Sequence, residues 1–448
     1  MKYCLPGGVL ICLFAIGAIF NSGPVHADGN IVSLFEAAEL PGGGTLPRGP
    51  EIIRSRAVNI TPGVVDTEAR ATLHGQIALN LFDDTVYIAV QNSVYTRPGA
   101  GVTWIGHIEG ISGSEVVLVT RGKHTSANIT LPDALYRVRA YRGAHLIRQI
   151  DRSQFEPEMH PLQVAPSELT GSSRVSGSLV AADDGSIIDV LVVYTAAAKT
   201  AEGGQAAIDN LIDLAISETN TGYANSGVTQ RVNLVHSAEV AYDESAFGWG
   251  TTLSRLQASS DGYMDNVHSL RDTYGADEVV LIVAASGACG IGYLMRTVST
   301  SFASLAFSVV RYTCATGYYS FGHELGHNMG SMHDRANSSI SGAYPYSYGY
   351  QAPDNSFRTI MAYNCSGGCT RRNFWSSPLN SYNGQPTGIV DGDAQSAYNV
   401  KSLNNTAYTV ANFRQSVTPA PTPTTGPTPE PGEPVSPAVL WFLLKQAR

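Results

Sequence analysis

Residues 323 to 334 read His-Glu-Leu-Gly-His-Asn-Met-Gly-Ser-Met-His-Asp, which gathers three imidazoles, a carboxylate and a glycine within one short stretch. His323 and His327 stand at i and i+4, so on a helix they share one face and can grip a single ion. Glu324 then lies beside the ion and not on it. There it can take a proton from an activated water and pass it to a leaving amine. Gly330 comes three residues after His327, where a helix can end with positive φ at no steric cost. The chain can then reverse and present His333. Three neutral imidazoles leave a fourth tetrahedral position open for water or a substrate carbonyl, which separates catalytic from structural zinc sites. A bare HExxH turns up by accident on ordinary helices. Six fixed positions make an accident on the order of one in a million per chain.

The string resembles the metzincin signature, HExxHxxGxxH followed by a Met-turn. Thr359-Ile360-Met361-Ala362-Tyr363 follows His333 and resembles that second element. The likeness implies one catalytic Zn2+ held by His323, His327 and His333, with Glu324 as the base and Met361 beneath the ligands. Tyr363 occupies the place where astacin-like and serralysin-like relatives carry a tyrosine that swings near the metal. Its phenol could donate to a tetrahedral oxyanion, and a buried tyrosine bonded to backbone is the competing reading. Asp334 resembles the reprolysin-like branch, where this acid orients the Met-turn segment through hydrogen bonds.

Flanking strings extend the resemblance to the bacterial peptidyl-Asp metalloendopeptidases and their reprolysin-like neighbours, over about residues 186 to 415. They are Ile187 to Thr195, Tyr223 to Gly227, Leu270 to Asp277 and Cys289 to Gly292. The implied activity is a secreted zinc-dependent endopeptidase acting on peptides and proteins and made as a zymogen. If the likeness reaches specificity, cleavage falls before Asp or Glu, and a cationic group must face that side chain to offset its desolvation. Arg358, Arg371 and Arg372 lie in the segment that would build this wall, although solvated surface arginine is the plainer reading of each. The alternatives are a broad-specificity protease of the same clan and a catalytically silent binding protein on its scaffold. Retention of Glu324 speaks against the silent form.

The setting follows from composition. Met1-Lys2, an apolar run from Val9 to Phe20 and Val25-His26-Ala27 read as a signal peptide over residues 1–27. Export to the periplasm or medium is the expectation, with no membrane span in the mature chain. Cys289, Cys314, Cys365 and Cys369 remain after removal of that segment and suit two disulfides. Three pairings are possible. Cys289 with Cys314 and Cys365 with Cys369 are favoured, the first tying a sheet-edge loop to the entry of the active-site helix. A formal charge of −9 and a pI near 5.6 argue against nucleic acid as a partner. A monomer is expected. Asp391-Gly392-Asp393 could hold Ca2+, but a solvated turn is the simpler reading.

Residues 28–185 show short alternating stretches (Thr72 to Phe82, Val86 to Val90, Glu115 to Thr120, Leu135 to Arg142), which predict a mostly β domain. Ala165 to Ser186 reads as an exposed linker open to proteases. This part is expected to be a propeptide that masks the site, with a retained substrate-binding β domain as runner-up. A cysteine switch is excluded, because no cysteine lies between Cys12 and Cys289; another ligand or steric cover must serve. His74, His107, His124, His145 and His160 lack ligand spacing and read as ordinary surface or core histidines.

Residues 186–415 are expected to form an α/β (α+β) catalytic domain with a twisted mixed sheet and an active-site helix beginning near Gly317 to Ser320. Strands are predicted at Ile187 to Thr195, Gln230 to Tyr242 and Glu278 to Ala285, and helices near Gln205 to Tyr223 and Thr252 to Tyr274. The β-branched run Phe302 to Val310 is predicted to be the sheet edge above the cleft. Residues 416–448 read as a Pro/Thr-rich linker and a short apolar tail, frayed or processed.

Overall fold

Alternation of apolar and polar residues through the N-terminal half builds one large sheet. Its strands are β1 (Val32–Ser33), β2 (Phe35–Ala37), β3 (Ile52–Ile60), β4 (Gln76–Phe82), β5 (Thr85–Thr96), β6 (Val102–Ile108), β7 (Glu115–Arg121), β8 (His124–Thr130), β9 (Leu135–Tyr141) and β10 (Ala144–Ile150). They form one ten-stranded sheet in the order β1-β4-β5-β6-β7-β8-β9-β10-β3-β2, an antiparallel meander from β4 to β10 with β3 and β2 added antiparallel at one end and β1 parallel at the other. Trp104, Leu118, Ala127, Ile129, Val138 and Ile147 fill the core on one face. The computed structural model describes residues 31–40, 45–65, 75–96, 101–163 and 182–417. The expected signal peptide, His74, most of the expected linker and the tail beyond 417 lie outside the described residues.

The C-terminal half is a mixed α/β unit. Its five strands are β11 (Ile187–Thr195), β12 (Arg231–Val240), β13 (Glu278–Val283), β14 (Gly290–Gly292) and β15 (Phe307–Arg311). The order is β12-β11-β13-β15-β14; the first four run parallel, and β14 pairs antiparallel with β15 at the edge. The helices are α1 (Ala196–Glu202), α2 (Gln205–Ser226), α3 (Trp249–Gln257), α4 (Asn266–Tyr274), α5 (Tyr312–Ala315), α6 (Ser320–Asn328) and α7 (Asn399–Val410). The apolar strings in β11, β13 and β15 are buried on both faces, as crossover-connected parallel strands require. Among the described residues no helix is long and apolar enough to cross a membrane.

Three expectations need correction. The run from Phe302 to Val310 is not the sheet edge: residues Thr300–Leu305 form a 3-10 turn, and β15 lies between β13 and β14. Its β-branched residues mark double-sided burial, and the true edge is the short Gly-Ile-Gly of β14. The single helix expected from Thr252 to Tyr274 is two. Between α3 and α4 the chain turns through Gly262 (φ +86°) and Met264 (φ +54°), and Asp265 accepts the amides of Asp261 and Gly262. Finally, α7 was not foreseen, although Val400, Leu403, Ala407 and Val410 form a buried stripe at helical spacing.

Helix α2 joins the two halves. Val117 and Val119 of β7 pack on Leu214 of α2, and around that contact the seam is ionic. Arg139 Nε lies 3.1 Å from Glu202, Arg121 pairs with Asp213, and Asn128 donates to Glu218. Arg137 and Arg139 also donate to the Thr316 carbonyl and hydroxyl just ahead of α6. Cys289–Cys314 ties the loop before β14 to α5, and Cys365–Cys369 closes the turn after Met361.

Candidate functional site

Tyr319 turns through φ +66° and α6 begins at Ser320, with every residue of the helix buried. The helix ends as Gly330 adopts φ +85°; its amide bonds to the His327 carbonyl and the Ser331 amide to the Gly326 carbonyl at 2.7 Å. A Cβ on Gly330 would also stand 2.5 Å from the Cβ of Ala343, so the reversal needs glycine twice over. The reversal delivers His333 opposite the helix.

The three imidazoles converge. His323 Nε2 lies 3.1 Å and His327 Nε2 3.0 Å from His333 Nε2. His323 Nδ1 faces the Ile360 carbonyl at 2.9 Å and His327 Nδ1 the Ser331 carbonyl at 2.8 Å. A proton donated from each Nδ1 leaves the Nε2 lone pair turned inward. Burial pushes the His323 pKa down to about 4 and those of His327 and His333 well below the usual imidazole range. All three are therefore neutral imidazoles, and with both Nε2 lone pairs of α6 turned toward His333 the cluster is suited to hold a cation. An ion with tetrahedral bonds of about 2.0–2.1 Å sets its ligand nitrogens roughly 3.3 Å apart, close to the spacing found. Among the described residues this is the one cluster of His, Cys, Asp or Glu with such spacing.

Glu324 is wholly buried, and neither carboxylate oxygen has a hydrogen-bond partner. Burial, and then the charge of Glu158, push its pKa well above the usual carboxylate range. An unpartnered buried carboxyl beside three imidazole nitrogens that face only one another is what a metal and its water would satisfy. Room for it comes from the edge strand: a Cβ on Gly290 would fall 2.5 Å from Glu324 Oε1, and one on Gly292 3.1 Å from Oε2.

Beneath α6, Met361 is fully buried with its sulfur 3.0 Å from where a Gly326 side chain would begin. Asp334 Oδ2 accepts the Tyr363 amide at 2.9 Å, so the acid after the third histidine fixes the segment after Met361. The Tyr363 ring stacks 4.0 Å from His333, and its hydroxyl donates to the Glu158 carbonyl at 2.8 Å. As the structure stands, that phenol is engaged with backbone.

The three arginines are buried, not solvated. Arg358 donates to the Tyr318 hydroxyl and to the carbonyls of Ala362 and Cys369. Arg371 forms a two-pronged ion pair with Glu158, with Nη2 at 2.7 Å from Oε2. Both line a cavity of about 640 Å³ together with Glu158, Tyr318, Tyr363 and Thr370. Arg372 instead donates to the carbonyls of Leu131 and Pro132 in the N-terminal sheet, so it serves the seam. Asp391 pairs with Lys401, and Asp393 accepts the Gln395 amide within its own turn.

Two residues that the sequence reading kept out of the site sit in the cleft, one unmarked and one read as an ordinary histidine. Glu158 is one; the other is His160, whose ring lies 5.5 Å from His333 and 5.6 Å from Tyr363. Glu-Pro-Glu-Met-His-Pro carries no pattern that separates it from an ordinary extended connector. His145, by contrast, is a core histidine whose Nε2 accepts the Thr125 amide.

Comparison with known proteins bears on this site directly. Residues 184–375 match the profile of metallo-peptidase family M12. A peptidyl-Asp metalloendopeptidase of Stenotrophomonas maltophilia is 34% identical over 428 residues, covering 91% of this chain and 98% of the relative. This chain belongs to the reprolysin-like metallopeptidases. A peptidyl-Asp metalloendopeptidase of Xanthomonas campestris is 33% identical over 92% of this chain and 99% of its own length. Among solved structures, metalloproteinase-II from Bacteroides fragilis aligns with a TM-score of 0.35 at 10% identity, over 58% of this chain and 81% of that one. The matches to the two bacterial relatives run across the N-terminal sheet as well as the metallopeptidase domain, so the two halves recur together.

Proposed function

We propose that this metallopeptidase is a secreted zinc endopeptidase of the metzincin type that cuts on the N-terminal side of acidic residues, with residues 28–185 as its propeptide. Residues 1–27 are its signal peptide, residues 186–415 its catalytic domain, and residues 416–448 a Pro/Thr-rich linker and tail. The observation that carries this reading is the convergence of three neutral Nε2 atoms beside the unpartnered carboxyl of Glu324. Bound zinc would acidify a water and polarise the scissile carbonyl.

The chain's own residues supply the rest. Glu324 accepts the proton of the attacking water and returns it to the departing amine nitrogen; a base positioned in this way contributes about 10²–10⁴-fold. Its burial, with no competing donor, keeps the carboxyl receptive to a proton. Tyr363, once free of the Glu158 carbonyl, can turn its hydroxyl to the oxyanion. Arg371, with Arg358 behind it, meets an acidic side chain in the adjoining cavity, where a bidentate charge-assisted pair offsets the cost of desolvation. The names of the relatives support that preference.

The test is Glu324→Gln in the processed protein, assayed on paired peptides that differ only in Asp or Ala after the cleaved bond. The expected outcome is loss of cleavage with zinc content intact, and a wild-type enzyme that prefers the Asp peptide. Activity surviving Glu324→Gln refutes the mechanism, and equal cleavage of the two peptides refutes the specificity.

A further inference from the structure

The cleft is occupied by this chain's own residues 156–163. Pro157 O accepts the Cys289 amide at 3.0 Å, Met159 N donates to Gly290 O at 2.8 Å, Leu162 N to Gly292 O at 2.9 Å, and Leu294 N to Leu162 O at 3.0 Å. These bonds run along the free edge of β14, with Leu162 and Tyr293 bridged in parallel. The strap is anchored where it enters: Phe155 stacks on Tyr318 at 4.4 Å, and Glu156 binds the Gly287 amide and Arg311. Met159 and His160 are exposed, the His160 ring lying over His333 and Tyr363, whereas Glu158 is only 3% exposed. Its carboxylate takes the Arg371 fork and the Ser320 hydroxyl at 2.8 Å.

Steric cover alone would not require this. Burying a carboxylate is costly unless it meets a matched cation, so an apolar or outward-facing residue would block the cleft more simply. Burial by itself would raise the Glu158 pKa; the Arg371 fork, with Arg358 nearby, reverses that and holds it well below the usual carboxylate range. The pocket therefore receives an anion.

We infer that Glu158 is an internal stand-in for the acidic side chain of the substrate: it fills the place that Arg371 offers to that side chain, and residues 156–163 act as a competitive inhibitor carried on the same chain. The inference rests on the endopeptidase reading for what the pocket is for. It follows that cutting the linker does not by itself open the cleft. The strap must leave, and substrate competes with Glu158 for Arg371. Its departure also frees the Tyr363 hydroxyl from the Glu158 carbonyl.

The test uses the full chain in a Glu324→Gln background, which blocks self-cleavage, with hydrogen exchange read at the Met159 and Leu162 amides. A hydrogen bond to a charged group is worth enough that Glu158→Gln should speed exchange there on the order of 10–100-fold, while amides of β8 and β9 report an unchanged fold. Arg371→Met should speed exchange to a similar extent, and the double variant should add little, since the two residues form one contact. Unchanged exchange, or fully additive effects, overturns the inference. In the chain with Glu324 restored, Glu158→Gln should raise cleavage of an Asp-containing peptide before any processing. If no variant cleaves peptides yet exchange responds as described, the seating of Glu158 stands and the endopeptidase reading falls.

Discussion

Replacing Gly290 with Ala tests the placement of the general base without touching a ligand. Gly290 sits in the edge strand with an ordinary negative φ, so its backbone tolerates alanine. The added Cβ, however, would lie 2.5 Å from Glu324 Oε1 and 2.8–2.9 Å from Cγ and Cδ, whereas ordinary contact begins near 3.4 Å. Glu324 must retreat by about 0.9 Å, and a misplacement of about 1 Å costs on the order of 10²-fold in rate, or roughly 2.7 kcal/mol of barrier. Gly292→Ala meets Oε2 at 3.1 Å, a deficit of about 0.3 Å that a small side-chain rotation absorbs, so a few-fold loss is expected. Gly250→Ala in α3, with open space around it, is the control. Steady-state kinetics on the processed enzyme, alongside zinc analysis, should show kcat falling in the order Gly290→Ala, Gly292→Ala, Gly250→Ala at constant metal content. Wild-type kcat in fully metallated Gly290→Ala would refute the idea that these glycines make room for the base.

Three further outcomes are expected. Chelation should abolish cleavage and lower the melting temperature of the full chain, with both restored by zinc, because an ion that binds only the folded state stabilises it by mass action; an unchanged melting curve would contradict an ion held among buried imidazoles. Opening the Cys289–Cys314 bridge by Cys289→Ser with Cys314→Ser removes a link across a sequence separation of 25, which chain entropy values at about 3.5 kcal/mol, readable as a lower denaturant midpoint. The third concerns pH. Burial at the seam, and then Glu218, push the Glu115 pKa from 4.5 up to about 8. The docked state therefore holds a proton that separated halves would release. Its contribution is complete below about 4.5 and drains away as pH rises through 8. Melting temperature between pH 5 and 8 should fall less steeply in Glu115→Gln, and an equal slope would remove Glu115 as the cause.

The clustered imidazoles, the carboxyl beside them, the turn glycine and both disulfides were legible because each is written in local spacing: i and i+4 on a helix, a glycine where φ must be positive, four cysteines close in sequence. The edge strand was not. Gly290-Ile291-Gly292 has one strand-forming residue, since Glu324 requires the other two positions to be bare, so the site itself erased the strand signal. The β-branched run of β15 attracted the edge assignment because propensity cannot distinguish a covered strand from a free one. The arginines posed the same difficulty in reverse. Nothing in Arg371-Arg372 says that the first reaches the cleft and the second the N-terminal sheet, because that division depends on the distant Glu158 carboxylate and the carbonyls of Leu131 and Pro132.

If residues 28–185 leave as the proposed propeptide, the make-up of the seam decides what the two parts are like afterwards. Around Leu214 it is stitched by Arg139 with Glu202, Arg121 with Asp213 and Asn128 with Glu218, and the apolar contacts there and at Phe155 on Tyr318 are small. Charged groups regain water when uncovered, whereas a greasy face would leave the freed enzyme sticky. Such a join can hold firmly in the precursor and still come undone into two wettable pieces.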